Sequence, residues 1–310
     1  MIFALRATMV SLAFFSLLYS FLSLALVVMW KCLSSCQFQK HFSAFSLFAL
    51  RLVPFGISAA VSVFLTLPSF LLLEAHSMDE DLGTFVLSMC ALLFLGAGIY
   101  HVLSAEVQTR RVVSVCLDGA TPLENRAAIM AVVSGQTISP LMLVGLRAPQ
   151  ILISESARQL LSEAEFAAAV RHETEHLRSH DNLRKAVLNC LPFPGMARLE
   201  KAWQEAAELA ADEGAVSSRN EALDLAAALI KLTRHFPHQA TPHLATGLMS
   251  GADSVTARVE RLLAWKEPQG AIPSRRGYAL PVAFAVLLGL GVKLGPALVL
   301  IHSLTERFVP

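Results

Sequence analysis

Residues 7–30 contain no charged side chain. A bilayer core takes about 20 apolar residues as a helix, because each backbone N–H and C=O must find its partner within the segment. That run constrains the chain more than any other feature. Similar runs cover 52–73, which includes Pro54 and Pro68, and 82–105. A fourth, about 278–304, is interrupted by Lys293. Membrane helices tolerate proline because neighbouring groups satisfy the freed carbonyls. With 55% of 310 residues hydrophobic, the composition agrees. The first run is too long for a signal peptide, has only Arg6 before it and no small-residue cleavage site after it.

Basic residues in short loops orient the spans. Segment 31–51 holds Lys31, Lys40 and Arg51 and no acid; segment 74–81 holds Glu74, Asp79, Glu80 and Asp81 and no Lys or Arg. Arg110 and Arg111 follow the third run, and Arg275 and Arg276 precede the fourth. The signs agree at every crossing. The expected organisation is three transmembrane helices within 1–105 (about 7–30, 52–73 and 82–105), a cytoplasmic domain over 106–277, and a fourth span with a short outer tail over 278–310. Both termini then lie outside a multi-pass cell inner (cytoplasmic) membrane protein, and no outer domain is expected. The bilayer is a partner by construction. A net charge of +1 gives no argument for direct nucleic-acid binding. Lys293 reads as a snorkelling or helix-packed side chain. Cysteines 32, 36, 90, 116 and 190 lack paired spacing and read as free thiols, which fits a reducing compartment.

In 106–277, "VVSVCL" (112–117) alternates like a strand, and 123–133 is helix-compatible. "TISPLMLVGLRAPQILIS" (137–154) offers two apolar runs broken by Gly145 and Pro149, a hairpin pattern. Ser162 with Glu165 makes a capping box, so a helix should run from 163 to Asn189, where Pro192 and Pro194 end it. Further helices are expected over 196–216, 221–235 and 255–263. Few strands among many helices suggest an α+β domain docked on the spans.

The 163–189 helix carries "RHETEHLRSHDN". Residues four apart share a helix face, so His172 and His176 can offer two imidazole nitrogens to one ion. Glu173 stands beside them, where a carboxylate can take a proton from an attacking water and return it to a leaving amine. With ten histidines in the chain, this pattern arises by chance in roughly two sequences in a hundred, so the neighbourhood must support it. Arg171, Glu175 and Arg178 would fit a solvated face instead; the apolar turn "EFAAAV" before the motif argues for burial. A third ligand could come from Glu200, Glu205, Glu208, Asp212 or Glu213. Glu208 and Asp212 share a face, so one could bind metal while the other orients a histidine. Spacing alone does not choose.

"RHETEHLRSHDNL" and "ELAADEGAV" resemble the membrane metallopeptidases of the BlaR/MecR β-lactam sensor-transducer group and, more distantly, the Ste24/HtpX zinc proteases. The resemblance covers the whole chain. It implies an α-helical integral membrane protein of four spans with a cytoplasmic α+β zincin-like, gluzincin-like metallopeptidase domain. It implies Zn2+ as cofactor, Glu208 as third ligand with Asp212 in support, and a hairpin strand that pairs with substrate backbone. The sensor-transducers carry a penicillin-binding domain after the fourth span; with none expected here, direct β-lactam sensing is not. His180 stands where the group usually has Arg or Lys. It reads as a surface residue, with competition for metal or a place near the substrate as the alternative. His235, His238 and His243 read as a proline-bounded turn.

The expected function is a zinc-dependent endopeptidase cutting a cytoplasmic or membrane-proximal protein, with a transcriptional repressor as the substrate by analogy. A non-catalytic signalling scaffold with a structural metal, closed by Asp212 or His180, is one alternative. A housekeeping membrane-quality protease is another. Helix contacts could support a homodimer.

Overall fold

The computed structural model describes residues 2–34, 42–73, 82–117, 121–123, 129–133, 140–146, 149–236, 245–247, 252–267 and 294–308. The chain divides into two compact units. One comprises Met1–Ser35, Leu52–Ala97 and Pro268–Pro310; the other comprises Cys36–Arg51 and Gly98–Glu267.

In the first unit, α1 (Ile2–Ser34) runs past its expected span at both ends, and α2 (Ala44–Val61), which enters this unit at Leu52, passes through a π-helical turn, Ser62–Thr66, into α3 (Leu67–Leu73). Ala7, Val10, Ala13 and Phe70 form a tight internal cluster. Ser16 adds a hydrogen bond to the Leu87 carbonyl at 3.0 Å. Large apolar side chains such as Phe21 (69% exposed) and Leu72 (73%) face outward. That arrangement is costly in water and natural in lipid. Among the described residues, three helical stretches are long and apolar enough to cross a membrane: Phe3–Cys32, Ala44–Leu73 and Leu82–Val115. Of the fourth expected span, 278–293 and hence Lys293 lie outside the described residues; α11 (Leu294–Phe308) packs on α1 and α3.

The second unit takes the end of α4 (Leu82–Leu117). This helix contradicts the strand expected at 112–117. Extending an existing helix adds one hydrogen bond per residue fixed, and that gain outweighs the weak strand preference of the valines. Gly98 lets α4 approach its neighbour: a Cβ there would lie 2.0 Å from the Cys190 carbonyl oxygen. The strands are β1 (Thr121–Leu123), β2 (Ile129–Val133), β3 (Leu141–Val144), β4 (Gln150–Ser154) and β5 (Ala245–Gly247). Residues 123–133 therefore supply strand rather than helix. "IMAVV" is a five-residue apolar run whose state periodicity cannot decide, and parallel pairing with β4 decides it. The sheet order is β1-β2-β4-β3-β5, with every other pairing antiparallel. The β3–β4 hairpin is the expected one, but β5 pairs on the outer side of β3, so β3 is not an edge.

Ser154 ends β4 and caps α5 (Glu155–Leu160). Ser162 and Glu165 form the expected capping box at the start of α6 (Glu163–Ser179). The expected helix to Asn189 is in fact two. His180 adopts a left-handed conformation (φ 54°, ψ 40°), ending α6 and opening α7 (Asp181–Asn189). Next come α8 (Ala197–Ala215), α9 (Arg219–His235) and α10 (Ala252–Leu263). The core joins Leu141, Leu143, Ile151 and Ile153 of the sheet to Phe166, Ala168, Ala169 and Val170 of α6 and to Leu225, Leu229 and Leu232 of α9. Fully burying each large aliphatic side chain contributes about 1.5–3 kcal/mol. Cys90 and Cys190 are free thiols.

Candidate metal centre

The buried face of α6 carries Glu165, Phe166, Ala169, His172, Glu173 and His176, a run spaced by three and four. Its apolar members dock on the core and carry the motif inside with them. His172, Glu173 and His176 are each 0% exposed, so the solvated-face reading is wrong. Small residues let α8 come close: Ala207, Ala211 and Ala215 are buried one turn apart. That approach delivers Glu208 and Asp212 to the same interior.

The two imidazoles turn their Nε2 atoms towards each other at 3.1 Å. Glu208 completes the group, its carboxylate oxygens 3.5 Å from His172 Nε2 and 3.6 Å from His176 Nε2. Among the described residues, His172, His176 and Glu208 form the one group whose ligand atoms converge closely enough to hold a metal ion, all within 4.8 Å of one another. Glu200, Glu205, Glu213, Asp212 and His180 are not in it. Each imidazole's far nitrogen faces a carboxylate: His172 Nδ1 lies 2.9 Å from Asp212 Oδ1 as an ion-pair contact, and His176 Nδ1 makes a 2.8 Å hydrogen bond with Asp181 Oδ2. Such partners fix ring orientation and raise ligand basicity. The donors therefore suit a zinc-type ion: two oriented imidazoles and one carboxylate, with no further protein group in the cluster among the described residues.

Two residues absent from the sequence reading complete the arrangement. Asp181 reaches His176 because the left-handed turn at His180 swings the chain back, while His180 itself points to solvent. Arg258 arrives from α10 and is 1% exposed. It pairs with both Asp212 oxygens at 2.7 Å and with Glu208 Oε2 at 2.9 Å. Asp181 stood inside the quoted motif, but its approach to His176 depends on the reversal at His180, which spacing does not foretell. Arg258 gave no local signal.

Burial sets the electrostatics. It pushes the Glu173 carboxyl up to about 7, against the opposing pull of His176 and His172. Burial would lower both histidines, but carboxylates outweigh it: Glu208 and Asp181 push His176 up to about 10, and Asp212 and Glu208 raise His172. Burial would raise Glu208 and Asp212, yet His176 and Arg258 hold Glu208 well below the usual range, and Arg258 and His172 lower Asp212. Both Glu173 oxygens are buried without a hydrogen-bond partner among the described residues. His235 instead donates its Nδ1–H to the Lys231 carbonyl (2.9 Å) at the end of α9; His238 and His243 lie outside the described residues.

Long apolar helices joined to a buried His-His-Glu centre with a carboxylate beside it are the features of a membrane metallopeptidase. A model of the BlaR1 peptidase M56 family matches residues 85–262, and the chain belongs to that family. No curated protein matches it.

Proposed function

We propose that this chain is a zinc-dependent, gluzincin-like integral-membrane endopeptidase that hydrolyses a cytoplasmic or membrane-proximal protein. The peptidase domain comprises 106–277 and faces the cytoplasm; four spans hold it, the fourth within 278–310. The convergence of His172, His176 and Glu208 beside the unpartnered Glu173 carries the reading. Those three residues would hold zinc, with Asp212, Asp181 and Arg258 fixing their orientation. Zinc, when bound, supplies Lewis acidity that acidifies water and polarises a peptide carbonyl. Glu173 takes a proton from the attacking water as its oxygen bonds to the carbonyl carbon, and returns that proton to the amine as the C–N bond breaks. A substrate strand adds to β3 in place of β5, which holds that edge with only three residue pairs.

A structural zinc would need a fourth protein ligand. Asp212 is committed to His172 and Arg258, and His180 is exposed, so neither supports the scaffold reading. By family analogy the substrate is a transcriptional repressor. Glu173→Gln should retain zinc and lose cleavage by about 10²–10⁴-fold, measured on partners that the full-length variant traps from its native membrane. A trapped regulator would separate signalling from housekeeping proteolysis. Undiminished cleavage by Glu173→Gln would overturn the proposal.

A further inference from the structure

Asn182 follows Asp181 on the first turn of α7 and is 4% exposed. Its Nδ2 donates to two carbonyls, Leu143 and Gly145, each at 3.2 Å. Carbonyls two residues apart on a strand point to the same edge, so one amide group can bridge them. Because both partners are acceptors, the amide nitrogen must face them and the orientation of Oδ1 follows. β5 begins opposite Val144, and Asn182 binds the carbonyls on either side of that residue, where strand β3 passes into Gly145, whose φ is 93°. Asn182 Oδ1 is buried and has no hydrogen-bond partner among the described residues. A buried acceptor left open is costly and calls for a donor. The adjacent Asp181 is tied to His176, which fixes Asn182 relative to the metal centre.

We propose that Asn182 is a substrate-positioning residue: its amide N–H group fixes the end of β3, and its Oδ1 accepts a backbone N–H from a peptide bound along that strand. The proposal rests on the peptidase reading above. It places backbone recognition one residue from the side chain that orients a ligand histidine, so the bound peptide and the metal centre share one support. It also predicts tolerance of substrate side chains at that point, since only main chain is read.

The test uses full-length protein in lipid nanodiscs with denatured β-casein as probe, comparing wild type, Asn182→Ala, Asn182→Asp and Glu173→Gln. Asn182→Ala should keep its zinc, exchange amide hydrogens over 140–146 about tenfold faster, and show a KM raised about tenfold or more with a smaller change in kcat. Asn182→Asp keeps an acceptor but loses both donors, so it should share the fast exchange and recover part of the KM. Unchanged exchange and an unchanged KM in both variants would overturn the proposal, as would a fall in kcat alone. Equal casein loss with wild type and Glu173→Gln would instead defeat the peptidase reading. Exchange over 140–146 then decides the strand-fixing role: acceleration upholds it, and wild-type protection refutes it.

Discussion

Each imidazole of the candidate centre turns one nitrogen to the His172–His176–Glu208 group and the other to a carboxylate, so under the proposed function removing that outer carboxylate should loosen the cation without removing a ligand. Asp181→Asn should weaken zinc binding about 10–100-fold, read by chelator competition, while α6 stays folded. The same carboxylates make binding pH-dependent. His176 is raised from 6.5 to about 10, so in chelator-treated protein it carries a proton at neutral pH that an incoming ion must displace. Zinc affinity should therefore rise with pH across that window, with proton release detectable by calorimetry in buffers of different ionisation enthalpy. Arg258→Met would strand the Glu208 and Asp212 carboxylates in the interior and should cost about 3–5 kcal/mol, seen as a lower unfolding midpoint. The candidate group was legible because helical spacing makes His172 and His176 neighbours, and resemblance pointed to Glu208, which the structure brings beside them. Asp181 was hidden by a backbone reversal at a non-glycine residue. Arg258, 46 residues from Asp212, was hidden by distance in sequence.

Helices with strong local signals matched their expected positions closely. The capping box at Ser162 and the amphipathic runs of α8 and α9 are examples, since cap and periodicity act within a few residues. The errors fall where a neighbour decides. Residues 112–117 inherit helix from the apolar stretch before them, and Ile129–Val133 becomes strand only by pairing with β4. β5 was missed because three residues, Ala245–Gly247, carry too little pattern to read. Its shortness has a testable consequence. Thr246→Pro removes a backbone N–H from that strand and should free the outer side of β3. Casein cleavage by the full-length variant should rise several-fold in kcat/KM if β5 occupies the substrate's place, and stay level or fall if β5 only supports the sheet.

For the whole chain, apolar length points to the membrane, and loop charge gives an expected orientation. Three long apolar helices accord with the first of these, and one prediction tests the second. In a cysteine-free background, an impermeant maleimide added to intact cells should label Ser77→Cys, in the acidic loop, and spare Ser217→Cys, at the start of α9's cap, until the membrane is opened. Reversed labelling would invert the topology and put the metal centre outside. The two compact units divide the work that such a protein needs: apolar helices face outward in one, and α6, α8 and α10 converge on buried charge in the other. That convergence is the central claim, and the zinc content of purified full-length protein tests it most directly. Wild type should hold about one zinc per chain, and Glu208→Gln should lose it under the same dialysis. A Glu208→Gln protein that keeps its zinc, or a wild type that never binds it, would contradict the account.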